Sequence, residues 1–170
     1  AEELVKDGAD GITTTGGFLA IFQKQLAAHV NVPVASSSLM QIPLVQATLP
    51  PGKRVGVITV SGSTLTPAHL EAAGVPLDTP VIGVENGREF FRVIIKAAKD
   101  DLDVSLAEQD ILAAGRELVA RHPDVGAIVF ECTNMSPYAA ALQAATGLPV
   151  YDIYSMITWF HAGLRPRTFG

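Results

Sequence analysis

The chain has one cysteine, Cys132, which stands where an apolar run gives way to a polar turn. Residues 126–130 have the composition of a buried strand. Cys132-Thr133-Asn134 is then followed by Ser136-Pro137, a pair that commonly opens a helix. Because a helix N-terminus lowers thiol pKa and attracts carboxylates, this placement predicts a reactive or ligand-facing thiol. The alternative is a small buried hydrophobic residue.

An internal echo links this segment to a second one near the N-terminus. Ile12 corresponds to Ile128 at an offset of 116 positions, and a Pro-Val pair follows each of them at the same offset. At that offset Cys132 falls opposite Gly16. The sequence thus contains two matched half-sites, of which one carries a thiol. Gly16 also has a plain structural reading, since glycine often serves only to ease a turn.

Small hydroxyl side chains cluster where four predicted strands end. A single such turn commonly caps a helix. Four of them favour a shared polar cleft, because open parallel sheets bind ligands at the carboxyl ends of their strands. Without basic side chains, such a cleft suits a small carboxylate or imide better than a polyphosphate. The candidate ligand-binding residues, with one glycine among them, are Thr14, Thr15, Gly17, Ser37, Ser61, Thr64, Thr133 and Asn134.

The elements that position these turns alternate between short apolar strands and helices, which is typical of an α/β fold with parallel sheets flanked by helices. The pattern predicts strands at 11–14, 32–35, 55–60, 81–84, 127–130 and 150–153. It predicts helices at 18–29, 39–48, 67–73, 89–98, 106–121, 137–145 and 155–162.

Pro50-Pro51-Gly52 is the clearest boundary, because consecutive prolines cannot continue a helix. We expect two α/β lobes with a ligand cleft between them. The first comprises residues 1–51 and 149–170, and the second residues 52–148. Residues 1–6 have the pattern of a helix end, so a strand is expected to be missing before them.

Composition restricts the function further. Apolar residues make up 48% of the chain and charged residues 17%, which predicts a well-buried globular protein. The net charge of −5 and the scattered basic residues argue against nucleic-acid binding. The four histidines are isolated, so no metal site is expected. A single cysteine and the lack of a signal pattern or membrane-spanning run favour a cytoplasmic location.

Three stretches resemble the aspartate/glutamate racemase superfamily, which includes hydantoin racemases and arylmalonate decarboxylases. They are GITTTGGF at 11–18, CTN at 132–134 and the tail at 150–160. The resemblance implies two pseudo-symmetric lobes, no cofactor and a small carboxylate, amino-acid or hydantoin-like substrate. Homo-oligomerisation is left open. It also implies that two cysteines flank the substrate α-carbon, one removing a proton and the other returning one.

This chain departs from that pattern, since Gly16 stands where the racemases carry their first cysteine. Three explanations remain open. Gly16 is an engineered replacement in a two-thiol racemase, or it is natural and leaves a single-thiol enzyme like the decarboxylases, or the chain binds its ligand without turnover. In the first two, Cys132 is the acid/base group.

Overall fold

The computed structural model describes residues 1–98 and 101–169, and it shows an α/β fold with two parallel sheets. The smaller sheet pairs β1 (Ile12–Thr13) with β2 (Val34–Ala35). The larger has the order β4-β3-β5-β6. Its strands are β3 (Arg54–Thr59), β4 (Val81–Gly83), β5 (Val125–Phe130) and β6 (Val150–Tyr151). The predicted fold class is confirmed, with several strands shorter than the sequence predicts.

Helices connect these strands. Three of the α-helices are preceded by a 3₁₀ helix, and one connection contains a π-helical turn. The α-helices are α1 (Glu2–Lys6), α2 (Gln23–His29), α3 (Ile42–Thr48), α4 (Pro67–Ala72), α5 (Val104–Arg121), α6 (Ala139–Thr146) and α7 (Ile153–Leu164). The 3₁₀ helices Gly17–Phe22, Ser38–Gln41 and Thr133–Tyr138 precede α2, α3 and α6. A π-helical turn forms Phe91–Ile95.

Two apolar clusters cover the two faces of the larger sheet. Because side chains alternate along a strand, Ile128 and Phe130 face α5 and α6, while Ala127 and Val129 face α3 and α4. Burial on both faces explains why β3 and β5 are nearly continuous apolar runs. The central strands are therefore held firmly, and their ends are well placed to carry a site.

The last two elements divide between the sheets. Strand β6 pairs with β5 in the larger sheet, with Ile128 opposite Val150. Helix α7 contacts β6 and the 3₁₀ helices Ser38–Gln41 and Thr133–Tyr138. It also reaches the residue before β1, where a Cβ built on Gly11 would lie 2.5 Å from Leu164 Cδ1. Residues 149–170, predicted to belong wholly to the first lobe, thus contribute a strand to the larger sheet and a helix with contacts near both sheets. Residues 99, 100 and 170 of the predicted lobes lie outside the described part.

Within the described residues, no helix has both the length and the apolar character needed to cross a bilayer.

Candidate functional site

Residue 131 is the point at which the ends of four strands meet. The Glu131 N–H donates to the Ile58 carbonyl of β3 at 2.9 Å. From the turn after β2, the Ser38 hydroxyl donates to the Phe130 carbonyl at 2.5 Å and lies 3.2 Å from the Glu131 carbonyl. From the turn after β1, Gly17 packs directly against Glu131. The carboxyl ends of β1, β2, β3 and β5 therefore come together, although they belong to two sheets.

The Cys132 thiol lies at the start of the 3₁₀ helix Thr133–Tyr138 and is half-buried. Its pKa is raised from 9.0 to about 11, mainly by burial and to a smaller extent by the charge of the neighbouring Glu131. The backbone amides of Asn134 and Met135 oppose that rise. The sequence predicts a lowered pKa from the helix N-terminus. That expectation is wrong in direction, because desolvation outweighs two amide contacts in a turn this short.

Glu131 is the buried carboxyl group of this region, with 1% of its surface exposed. Its Oε2 accepts a hydrogen bond from the Thr59 hydroxyl at 2.8 Å. Burial raises its pKa from 4.5 to about 7, and the Thr59 hydroxyl and the Val60 amide partly offset the rise. The carboxyl group therefore gains and loses its proton near neutral pH.

The two glycines of the opposite turn have different surroundings. A Cβ built on Gly16 would meet only the Leu19 side chain, at 3.7 Å, which is ordinary contact. A Cβ on Gly17 would overlap the Glu131 carbonyl oxygen and carboxyl group, with Cδ at 2.7 Å. Gly17 is therefore required by close packing, whereas Gly16 is open to substitution.

The turns that carry Cys132 and Gly16 touch each other. The Thr133 hydroxyl donates to the Thr15 carbonyl at 2.9 Å. Thr15 and Asn134 are exposed beside this contact. The structure thus brings the two predicted half-sites together, as the internal echo requires.

Several of the predicted hydroxyl groups are occupied by the protein itself. The Thr14 hydroxyl donates to the Ser36 carbonyl at 2.6 Å, and Ser37 Oγ accepts the Leu39 N–H at 3.2 Å, which caps the following turn. The Thr64 hydroxyl lies 3.3 Å from the Ser61 carbonyl, to which it donates. The capping role weighed for single turns accounts for the Ser37 contact, whereas Thr14 and Thr64 donate to backbone carbonyls. Which of these residues contact a ligand stays a prediction.

The four turns carry no lysine or arginine. Glu85, from the turn after β4, accepts the Gly62 N–H at 2.9 Å and lies within 3.4 Å of the Ser63 N–H. Glu85 thus adds a second carboxylate near these strand ends, in addition to Glu131. Among the described residues, no three His, Cys, Asp or Glu side chains gather into a metal-binding group.

From the sequence alone, Glu131 could point into solvent or contact a ligand, and sequence reasoning missed Ser38 and Thr59 as the groups that join the strand ends. A usable signal was present. Glu131 directly follows the apolar run 125–130, and a carboxyl group at such a position is either exposed or held by partners. A separate apolar groove of about 540 Å³ between α3 and α7, lined in part by Leu44, Met156 and Trp159, contains none of the predicted site residues.

Comparison with known proteins identifies a family and several relatives for this chain. The chain matches the family model of Asp/Glu/hydantoin racemases over residues 1–160. It is 31% identical over 168 residues to a dimethylsulfoniopropionate lyase of Durusdinium sp. clade D, covering 94% of this chain and 55% of that protein. The chain spans between 32% and 55% of the length of the curated relatives that it matches.

Solved structures share the fold at low sequence identity. Allantoin racemase from Pseudomonas fluorescens aligns with a TM-score of 0.62 at 17% identity, over 95% of this chain and 71% of that one. Arylmalonate decarboxylase aligns with a TM-score of 0.60 at 14% identity, over 98% and 73% of the two chains. The protein belongs to the Asp/Glu/hydantoin racemase family, as the three sequence stretches indicate.

Proposed function

We propose that this protein is a cofactor-independent lyase that removes one proton from the α-carbon of a small carboxylate, with Cys132 as the acid/base group. The observation that carries the proposal is the pairing of a single thiol with a glycine. Cys132 is the only cysteine of the chain. The turn that carries it contacts the turn after β1, which has Gly16 in the matching position. Such a site has an acid/base group for one face of a bound carbon.

Chemistry on one face favours elimination over racemisation. Racemisation removes a proton from one face and returns one to the other, so it needs two groups. In a β-elimination one base takes the α-proton, the C–H electrons form the Cα–Cβ double bond, and the leaving group departs with its bonding pair. For dimethylsulfoniopropionate, the substrate in the names of the curated relatives, the products are acrylate, dimethyl sulfide and a proton.

The charges around the thiol favour a cationic leaving group. A thiol with a pKa of about 11 is protonated at neutral pH, so it is a poor base by itself. A sulfonium group bound beside it would stabilise the thiolate, because an opposite charge within about 4–6 Å lowers the pKa of an acid. The four turns after β1, β2, β3 and β5 offer no lysine or arginine to repel that cation.

The rest of the site would hold the carboxylate end of the substrate. The proposed donors are backbone amides of the turns, the hydroxyl groups of Thr15, Ser37 and Ser61, and the side-chain amide of Asn134. The hydroxyl groups of Thr14, Thr64 and Thr133 already donate to backbone carbonyls and would only line the site. Donors of this kind stabilise the negative charge that develops on the carboxylate as the α-proton leaves. Thr15 and Asn134 are the exposed members nearest the contact between the two turns.

The test is release of dimethyl sulfide and acrylate from dimethylsulfoniopropionate by the purified chain. We expect Cys132→Ser to lower kcat/KM by about 100-fold or more, since a positioned acid/base group contributes about 10²–10⁴. Glu117→Gln, an exposed change on α5, serves as the control and should leave the rate unchanged. Full activity in Cys132→Ser contradicts the proposal, and binding without product in the unaltered chain indicates a binding protein.

Decarboxylation is a second candidate, favoured by the raised pKa of the Cys132 thiol. A protonated thiol is suited to deliver a proton to the carbanion that remains after carbon dioxide leaves. Release of carbon dioxide from arylmalonates measures this reaction. Racemase activity on amino acids or hydantoins would be expected only after Gly16→Cys supplies the second acid/base group, and activity in the unaltered chain would contradict the one-face proposal.

A further inference from the structure

A buried carboxyl group lies next to the thiol, and the reaction proposed above does not use it. Glu131 has 1% of its surface exposed, so it does not reach a substrate directly. Its backbone and side chain nevertheless contact the ends of β1, β2 and β3 through Gly17, Ser38 and Thr59.

We propose that Glu131 is a positioning residue for Cys132: its carboxyl group holds the Gly17 turn and the end of β3 together, and its ionisation controls how easily the neighbouring thiol loses a proton. This inference rests on the proposed function only in assigning Cys132 as the acid/base group. Protonated Glu131 leaves the thiol its ordinary electrostatic surroundings. Ionised Glu131 places a negative charge beside it and opposes the thiolate.

Among the described residues, the elements packed around Glu131 place no other charged side chain beside its carboxyl group. The 3₁₀ helices Gly17–Phe22 and Ser38–Gln41 carry no titratable side chain. On β3, Arg54 lies at the opposite end of the strand, where it pairs with Asp124. Glu85, beyond β4, is held by the amide of Gly62. The pKa of Glu131 is shifted by burial, by the Thr59 hydroxyl and by the Val60 amide. No charged side chain in the described part of the chain contributes to that shift.

The contact with Gly17 lets the Glu131 carboxyl group pack between the two turns. A hydrogen atom in place of a side chain at 17 lets the Glu131 carboxyl group and carbonyl approach the backbone of the opposite turn. The Thr133–Thr15 hydrogen bond lies beside this contact. Glu131 therefore sits between the Cys132 turn and the turn that faces it.

The experiment measures alkylation of Cys132 by N-ethylmaleimide between pH 6 and 9.5, followed by intact-mass spectrometry. The single cysteine makes the product unambiguous, and no substrate is needed. Glu131→Gln keeps the size and hydrogen-bonding capacity of the side chain but removes its charge. The control Glu117→Gln makes the same chemical change on the surface of α5.

We expect the alkylation rate of Glu131→Gln to match that of the unaltered chain near pH 6, where Glu131 is protonated. The variant should become about threefold to tenfold faster above pH 8, where the unaltered Glu131 is charged. Glu117→Gln should show no change. A ratio that stays constant across the pH range, or falls below one at high pH, overturns the proposal, because loss of structure alone would not follow this titration.

If Glu131→Gln does not fold, Thr59→Val tests whether the ionisation of Glu131 controls the reactivity of the Cys132 thiol. Removing the Thr59 hydroxyl takes away a hydrogen bond to the charged form, so Glu131 should stay protonated to higher pH. Alkylation should then be faster than in the unaltered chain near pH 7.5 and should converge with it above pH 9. Slower alkylation near pH 7.5 contradicts the inference. A correct alkylation pattern without dimethyl sulfide release would refute the proposed function and leave this inference intact.

Discussion

The turn after β5 and the turn after β1 are related by the internal echo, yet they differ in chemistry. The first holds a half-buried thiol and a fully buried carboxyl group, at Cys132 and Glu131. The second holds Gly16 and Gly17, which offer only backbone and, at Gly17, the space that Glu131 fills. One half-site carries titratable groups, and the other leaves the space that one of those groups occupies.

This difference shows that a turn without titratable groups can still be joined closely to the turn that carries them. Gly17 and Glu131 pack as a pair across the two turns, and the Thr133–Thr15 hydrogen bond joins them a second time. The second turn therefore contacts the turn that carries the thiol at two places. The predictions below alter each turn in a matched way.

The largest effect is expected from a methyl group on the second turn. Gly17→Ala places a Cβ on the Glu131 carbonyl and carboxyl group, and backbone atoms cannot move aside easily. We expect a loss of about 3 kcal/mol or more in the free energy of unfolding, the upper range for overpacking. Denaturant unfolding measures it.

Gly16→Ala is the matched control for that change. Its backbone is extended, with φ −121°, and the new Cβ would meet only Leu19 at 3.7 Å. A surface change of this kind should alter stability by less than about 0.5 kcal/mol. Equal losses at 16 and 17 would refute the distinction drawn between the two glycines.

The next effect concerns the first turn and depends on pH. The pKa of Glu131 is raised from 4.5 to about 7 on folding, so the folded protein holds this proton more tightly than the unfolded chain. Its contribution to stability is complete below pH 4.5 and is lost as the pH rises to 7, by up to about 3 kcal/mol. Glu131→Gln lacks this titration.

Denaturant unfolding of both proteins at pH 4.5 and pH 7.5 measures that contribution. The variant should gain stability relative to the unaltered chain as the pH rises, and Glu117→Gln should not. Parallel stability curves for Glu131→Gln and the unaltered chain would show that the carboxyl group is not held in its protonated form.

The smallest effect is expected at the hydrogen bond between the turns. Thr133→Val removes the donor to the Thr15 carbonyl, and we expect a loss of about 0.5–1 kcal/mol, typical of a single partly exposed bond. Thr15→Val is the control, because Thr15 takes part in that bond through its backbone oxygen. If both variants are equally stable, the bond adds nothing measurable to the joining of the two turns.

Much of the fold could be predicted because its signals are local. The sequence predicts a strand at 127–130, and β5 includes those positions and begins two residues earlier, at Val125. The echo placed Cys132 opposite Gly16, and the two turns do meet. The final strand was assigned to the first lobe, and nothing in a two-residue strand such as β6 indicates which sheet it joins.

The amino-acid sequence by itself determined the α/β class, the lone thiol at a strand end and the glycine in the matching position, because periodicity and residue type are local properties. Only the tertiary structure decided that Glu131 is buried, that the pKa of Cys132 rises and that Gly17 is the glycine that close packing requires. The physical reason is that desolvation and steric overlap depend on atoms from β1, β2, β3 and β5 at once. Those atoms are far apart along the chain and become neighbours only when it folds.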